Sequence, residues 1–296
     1  MNNKIVKTIS SVILLSLLST TANSKALRSP VQTGDEIIIA KGDIPTPIKY
    51  QSIISHYMSY VIAQLDLMIQ QLDILQRAIN QQQLMDAQAA YISAHQYYEM
   101  VRPIIMLFGN TDRVMNSTAD YYLQREQDYR FIGFHRVEYF LFDQKNLTLA
   151  SPAAEELLTK AKDLRKRMAT ESIEIPKLVQ ASADFMEMIL ETKLAGKEQL
   201  YSQSDITDIA ANIAGSEKII GLITPFINKD TLTSLTRNYA AINKILDNYR
   251  LTNNTYQLYS KLSQHDKMDL FSLISQQAER LAELRAQMDV DVYYKY

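Results

Sequence analysis

Cysteine is absent from all 296 residues. The chain therefore forms no disulfide and is not a lipoprotein acylated on an N-terminal cysteine. Any metal it binds must be held by His, Asp, Glu, Tyr or backbone oxygen, which excludes zinc fingers, iron–sulfur clusters and blue-copper centres. Glycine and proline are scarce, seven each. Leu, Ile, Ala, Gln, Lys and Glu dominate instead, a balance that favours helices over sheet. A surplus of positive charge is also missing: the formal net charge is −2, so no nucleic-acid partner is indicated. Beyond the N-terminus no hydrophobic run approaches transmembrane length, and the chain does not read as an integral membrane protein.

What is present begins with a leader. Lys4 and Lys7 precede a short apolar core, Ile9 to Leu18, and Ala22-Asn23-Ser24 fits a cleavage site, with Ser24-Lys25-Ala26 as a second option. An uncleaved anchor is the alternative. Residues 1–24 therefore read as a signal peptide of bacterial style, and the mature protein as periplasmic. Residues 25–46 read as an extended arm in which 35–40 (DEIIIA) has the pattern of a short edge strand.

From Ile48 the period becomes helical. Ile54, Met58, Val61, Leu65, Met68, Leu72 and Leu75 recur at three- and four-residue spacing. Leu84 to Met106 continues the pattern, with Pro103 marking a kink or break. Phe108-Gly109-Asn110 is a turn. Short helices are expected over 112–124 and 131–142. Ser151-Pro152 has the form of an N-cap followed by proline at the first helical position, and further helices are expected near 152–169, 176–195, 204–227, 230–249 and 267–288. The fold class is all-α: an N-terminal bundle over 47–145 and a C-terminal bundle over 146–296.

The sharpest polar signal is Gly133 to Phe142, GFHRVEYFLF. On a helix, His135 and Glu138 lie three residues apart on one face, among Phe131, Phe134, Val137, Phe140 and Leu141. A metal ion is the leading partner for such a pair, because imidazole nitrogen and carboxylate oxygen ligate iron, zinc and copper. A solvated or capped helix face is the bland alternative. The second histidine of a His-Glu-x-x-His zincin is missing. The Glu-x-x-His order of di-iron bundles is reversed and occurs once.

Further ligands must come from elsewhere. Glu99 is flanked by aromatic and aliphatic residues and points inward, or else lies on the surface paired with Arg102. Asp112 and Asp120 flank the next short helix, and Asp112 could equally be an N-cap. His95, four residues before Glu99, is an additional candidate, while His56 and His265 read as surface or structural. Asp205, Asp208 and Asn212 share a stripe that could form a second, weaker metal position. Capping by Ser202 or Ser204 and contact with the other bundle is the alternative there. Carboxylate-rich sites with one histidine suit iron or zinc and tolerate copper.

These residues resemble the imelysin-like family, in its EfeO/EfeM branch. The matching pieces are Gln64-Leu65-Asp66, Tyr98-Glu99 with Val101-Arg102-Pro103, Phe108-Gly109 with Asp112, Gly133 to Tyr139, Lys177 to Gln180, Tyr201-Ser202, and Ala211-Asn212 with Gly215-Ser216. They span about Tyr57 to Asp289. The resemblance implies two four-helix-type bundles and a metal site of His135 and Glu138 completed by Glu99 and Asp112. It implies iron as cargo, passed to a membrane permease that works with a peroxidase-like component in an EfeUOB-type uptake system. It also implies the short form of the branch, with the arm in place of a cupredoxin-like domain.

Some relatives carry a second carboxylate where Arg102 stands. Many have His in the segment of Gln203 and an acid at Ala214, which weakens the second metal position. The resulting reading is a non-enzymatic transport component. The alternative is an imelysin-type metallopeptidase or other hydrolase using the same residues, with a metal-activated water and Glu99 as its base.

Overall fold

The apolar period beginning at Ile48 resolves into a 33-residue helix, α1 (Ile48–Asn80), that buries Ile54, Val61, Leu65, Met68, Leu72 and Leu75 along one face. Met58 is half-buried. The computed structural model describes residues 47–251 and 255–287. The leader, the arm, the strand expected at 35–40 and residues 288–296 lie outside the described residues.

A tight turn leads into α2 (Leu84–Glu99). It stops before Pro103, which occupies the first turn of α3 (Arg102–Met106). A missing N–H does no harm in a first turn, so the proline separates two helices here. The helix expected over 112–124 is shorter than its pattern: α4 covers Thr111–Asn116, and single 3-10 turns follow at Ala119–Tyr121 and Arg125–Gln127. The Ser117 hydroxyl donates to the Arg113 carbonyl at 2.7 Å, and Ser117 turns extended with ψ of 132°. That side-chain bond competes with helix continuation. Nor is Asp112 the N-cap: Asn110 holds that position, and Asp112 lies in the first turn.

Next comes α5 (Phe134–Glu138), which runs into a π-helical turn at Tyr139–Asp143. The following helix, α6 (Leu147–Met168), begins earlier than Ser151-Pro152 suggests. Asn146 caps it, accepting from the Leu149 N–H at 3.1 Å. Pro152 lies inside the helix and removes one intrahelical bond. The start is held by the cap and by Leu147 and Ala150, both buried.

The remaining helices are α7 (Ile175–Met188), with a π turn at Ile189–Lys193, α8 (Asp205–Ile223), α9 (Lys229–Asp247) and α10 (Gln264–Gln287). Among the described residues there is no strand, and one antiparallel bridge joins Arg250 to Tyr256. No described helix is long and apolar enough to cross a membrane.

Packing does not follow the division at residue 145. α6 lies along α1 beside α2, and Arg165 pairs with Asp66 across that contact at 2.9 Å. α7 packs on α8 and α10, and α10 on α9. The two groups of helices meet where α8 lies against α2. The described residues form one compact unit. Gly215 permits the close approach: a Cβ there would run into the Met100 carbonyl and the Phe185 ring. That contact brings the polar stripe of α8 onto the end of α2.

Candidate metal centre

Helical spacing on α2 places Tyr91, His95, Tyr98 and Glu99 on one buried face. Opposite them, α8 supplies Asp205, Asp208 and Asn212, all buried. α3 adds Arg102, α4 adds Asp112 and Asn116, and α5 adds His135 and Glu138. The π turn delivers Lys193, and the loop before α8 delivers Glu198, Gln199 and Ser202. A π turn inserts one residue and so re-aims the side chains beyond it, and such turns recur at functional sites.

The backbone at Gly133 aims the histidine. Its φ is +86°, and a Cβ there would collide with the Met115 carbonyl. Glycine alone lets α5 start against α4 in this way. His135 Nδ1 then lies 2.8 Å from Glu138 Oε2. A carboxylate only accepts, so Nδ1 carries the proton and the lone pair is on Nε2. Among the described residues Nε2 has no hydrogen-bond partner, although it is fully buried. Glu138 is saturated: its Oε1 accepts from Tyr201 N at 3.0 Å, Ser202 N at 2.8 Å and Ser202 Oγ at 2.9 Å. Ser202 therefore serves Glu138 and does not cap α8, and the Ser204 side chain makes no cap bond either.

His95 is arranged in the opposite way. Nδ1 faces both oxygens of Asp208 at 3.1 Å, and Nε2 faces Asn116 Oδ1 at 2.8 Å. Gln199 Nε2 also lies 2.9 Å from Nδ1, but Asp208 and Asn116 Oδ1 each face a ring nitrogen as acceptors, the arrangement that suits an imidazolium. Burial alone would lower its pKa, but Asp208, Glu99 and Glu198 raise it to about 9. Such a ring has no lone pair for a metal. Asp208 is pushed up by burial, against the pull of His95, and also accepts from Gln199 Nε2 at 2.7 Å. Asp205 is raised to about 8 by burial and by Asp208.

Two cations are interleaved with the carboxylates. Lys193, fully buried, sits 2.9 Å from Glu99 Oε2 and 2.6 Å from Glu198 Oε2. Burial opposes its charge, but those two acids hold its pKa above the usual range. Arg102 joins Glu99, Glu198 and Asp112. Despite burial, Lys193 and Arg102 keep Glu99 below the ordinary carboxylate pKa, and Arg102 and Lys193 hold Glu198 far below it. Asn212 Nδ2 donates to Glu99 at 2.9 Å, and Tyr98 OH donates to Asp112 at 2.8 Å.

The structure thus brings His135, Glu138, Glu99, Asp112, His95 and Asp205 into one polar network. Glu99 points inward and also pairs with Arg102, so the two sequence alternatives hold together. Asp120 is not in the network: it is 55% exposed and pairs with Arg125 on the surface at 2.5 Å. The stripe of Asp205, Asp208 and Asn212 is no separate metal position, because Asp208 and Asn212 bond to His95 and Glu99 of α2. Among the described residues no three His, Asp or Glu side chains are disposed to hold a metal ion together. Arg102 and Lys193 stand between them. Sequence reasoning missed Asn116, Lys193, Glu198 and Gln199. Charged residues around Gly196 look like an exposed loop, and only the adjoining Tyr201-Ser202 hinted at the site.

The sequence model of the Imelysin family, Peptidase M75, matches residues 53–289. The chain is 31% identical over 248 residues to the iron uptake system component EfeM of Pseudomonas syringae pv. syringae, covering 83% of this chain and 87% of that protein. It is 33% and 32% identical over 241 residues to the iron uptake system component EfeO of Shigella boydii and of Escherichia coli K12, with 80% of this chain covered in each case. It spans 64% of the length of those two EfeO proteins. An imelysin-like protein of Psychrobacter arcticum, known from a crystal structure, has the same fold with a TM-score of 0.56 at 11% identity, covering 80% of this chain and 95% of that one. By the extent of the family match, this all-helical chain belongs to the Imelysin family.

Proposed function

We propose that the protein is an exported, periplasmic metal-binding component of an iron uptake system, which captures iron and hands it to a membrane permease. The observation that carries this reading is His135 Nε2, buried without a partner among the described residues, on a ring close enough to act electrostatically on the Glu198 carboxylate. A buried polar atom left unsatisfied costs about 1–3 kcal/mol. A ring nitrogen whose partner nitrogen is oriented by a carboxylate has the arrangement of a metal ligand with its supporting shell.

In this reading His135 is the nitrogen ligand, Glu138 fixes its tautomer, and Glu99 and Asp112 supply oxygen with Glu198 beside them. One imidazole among carboxylates suits iron, and the relatives named as iron uptake components favour it as the cargo. Zinc suits the same donors and copper is tolerated by them. Capture and release are ligand exchange, with no bond of a substrate broken. A hydrolase finds less support, because Glu99, its nominated base, is tied to Lys193 and Arg102 and held at low pKa.

Calorimetric titration of the protein with Fe2+ under anoxic conditions tests the reading. Saturable binding that is lost in His135→Ala is the expected result. Equal binding, or none, in the two proteins overturns it.

A further inference from the structure

The carboxylates of this centre converge on a side chain, not on an empty space. Arg102 Nη1 donates to Glu99 Oε1 at 3.0 Å and also to Glu198 Oε1. Its Nε donates to Asp112 Oδ1 at 2.7 Å. The three acids come from α2, α4 and the loop before α8, so one guanidinium joins three segments that nothing local would bring together. The His135 ring acts electrostatically on Glu198, one of these acids, and its buried Nε2 has no partner among the described residues.

We propose that Arg102 is a built-in competitor for the cargo cation: a metal ion enters only as the guanidinium leaves, so Arg102 sets which cations the chain takes and how tightly. The inference rests on the metal-binding reading and adds the residue that decides occupancy. Arg102 is the cation able to leave. Its side chain is 10% exposed and that of Asp112 17%, whereas Lys193 is fully enclosed. A long side chain pinned at an edge open to water can swing out without unfolding a helix.

Once it leaves, the carboxylates of Glu99, Glu198 and Asp112 outnumber the cation that remains on them, Lys193. The vacated place then draws a compact multivalent cation. Coulomb attraction grows with the charge on the ion, so a monovalent ion gains nothing over the guanidinium it replaces. A divalent or trivalent ion gains, and unlike the guanidinium it can also take the lone pair of His135 Nε2.

The test is calorimetry with Fe2+ under anoxic conditions, and with Zn2+ as a second probe, on the full chain, Arg102→Gln, Arg102→Lys and the double variant Arg102→Gln/His135→Ala. Removing a competitor raises apparent affinity by the reciprocal of the fraction already open, here about tenfold or more. Arg102→Gln is expected to bind that much more tightly than the parent, and the double variant to lose the gain. Cation-free Arg102→Gln melts below the parent, and saturating Zn2+ raises its Tm by more than it raises the parent's.

If Arg102→Gln does not fold, Arg102→Lys keeps the charge without the planar fork and is expected to bind between the two; binding no tighter than the parent's overturns the proposal. Equal or weaker binding by Arg102→Gln, with parent binding that His135→Ala still abolishes, removes the role of Arg102 and leaves the metal-binding reading standing. No binding in any variant removes both.

Discussion

Glu138 Oε2 lies 2.8 Å from His135 Nδ1, while the opposite ring nitrogen is buried and, among the described residues, has no partner. The pair singled out by its spacing is therefore unequal. The histidine offers the lone pair, and the glutamate, already accepting from Tyr201 and Ser202, holds the ring in place. Glu138→Gln is expected to weaken metal binding about 10- to 100-fold without abolishing it. Calorimetric Kd values for this variant beside His135→Ala decide between an orienting and a ligating glutamate. Complete loss in both would make Glu138 a direct ligand.

Lys193 carries the charge balance of Glu99 and Glu198 from a fully enclosed position. Lys193→Met leaves both acids short of a counter-charge and is expected to cost about 3–5 kcal/mol. Urea denaturation of the variant at neutral pH measures it. A loss below about 1 kcal/mol would show that the acids find other partners.

Gly133→Ala places a Cβ against the Met115 carbonyl at a φ of +86°. The expected loss is about 2–4 kcal/mol, with weaker metal binding, because α5 must shift and carries His135 with it. Equilibrium denaturation and calorimetry on the same sample read both effects.

Stability should decline as pH rises from neutrality. The folded-state pKa of His95 is raised to about 9 from the ordinary 6.5. Its contribution, on the order of 3 kcal/mol by linkage, is complete below about 6.5 and lost as pH rises through about 9. Asp205 acts in the same direction: its folded state keeps a proton up to about 8 that the unfolded chain loses above 3.8. Glu99 and Glu198, held low, stabilise above the ordinary carboxylate pKa, and that contribution is lost on acidification through their lower folded values. Thermal melts from pH 5.5 to 9.5 should show a falling Tm, with a shallower fall in His95→Gln. A flat profile would contradict the imidazolium assignment.

Asp120→Asn should change neither property. Its ion pair with Arg125 is more than half exposed, and surface pairs contribute about 0–1 kcal/mol. Altered metal binding in this variant would mean that the segment 117–132 takes another arrangement when loaded.

The amino-acid sequence by itself determined the all-helical class. Scarce glycine and proline and a sustained three- and four-residue apolar period leave few other ways to bury α1, α7 and α9. It also marked His135, Glu138 and Glu99, because charged groups set among Phe, Val and Tyr must find partners when buried. Ends and partners were less legible. Ser151-Pro152 has the form of a helix start, yet Asn146 and buried Leu147 decide otherwise, since a cap competes with other caps and not with a pattern.

Only the tertiary structure decided what the polar residues do. His95 and His135 are alike in sequence, but Asp208 and Asn116 take both nitrogens of one while Glu138 takes a single nitrogen of the other. Lys193 and Glu198 look like surface charges until the π turn and the approach of α8 at Gly215 enclose them. Contacts between residues a hundred positions apart leave no periodic trace. The charge of a buried group is set by those contacts, and so is its availability to a metal ion.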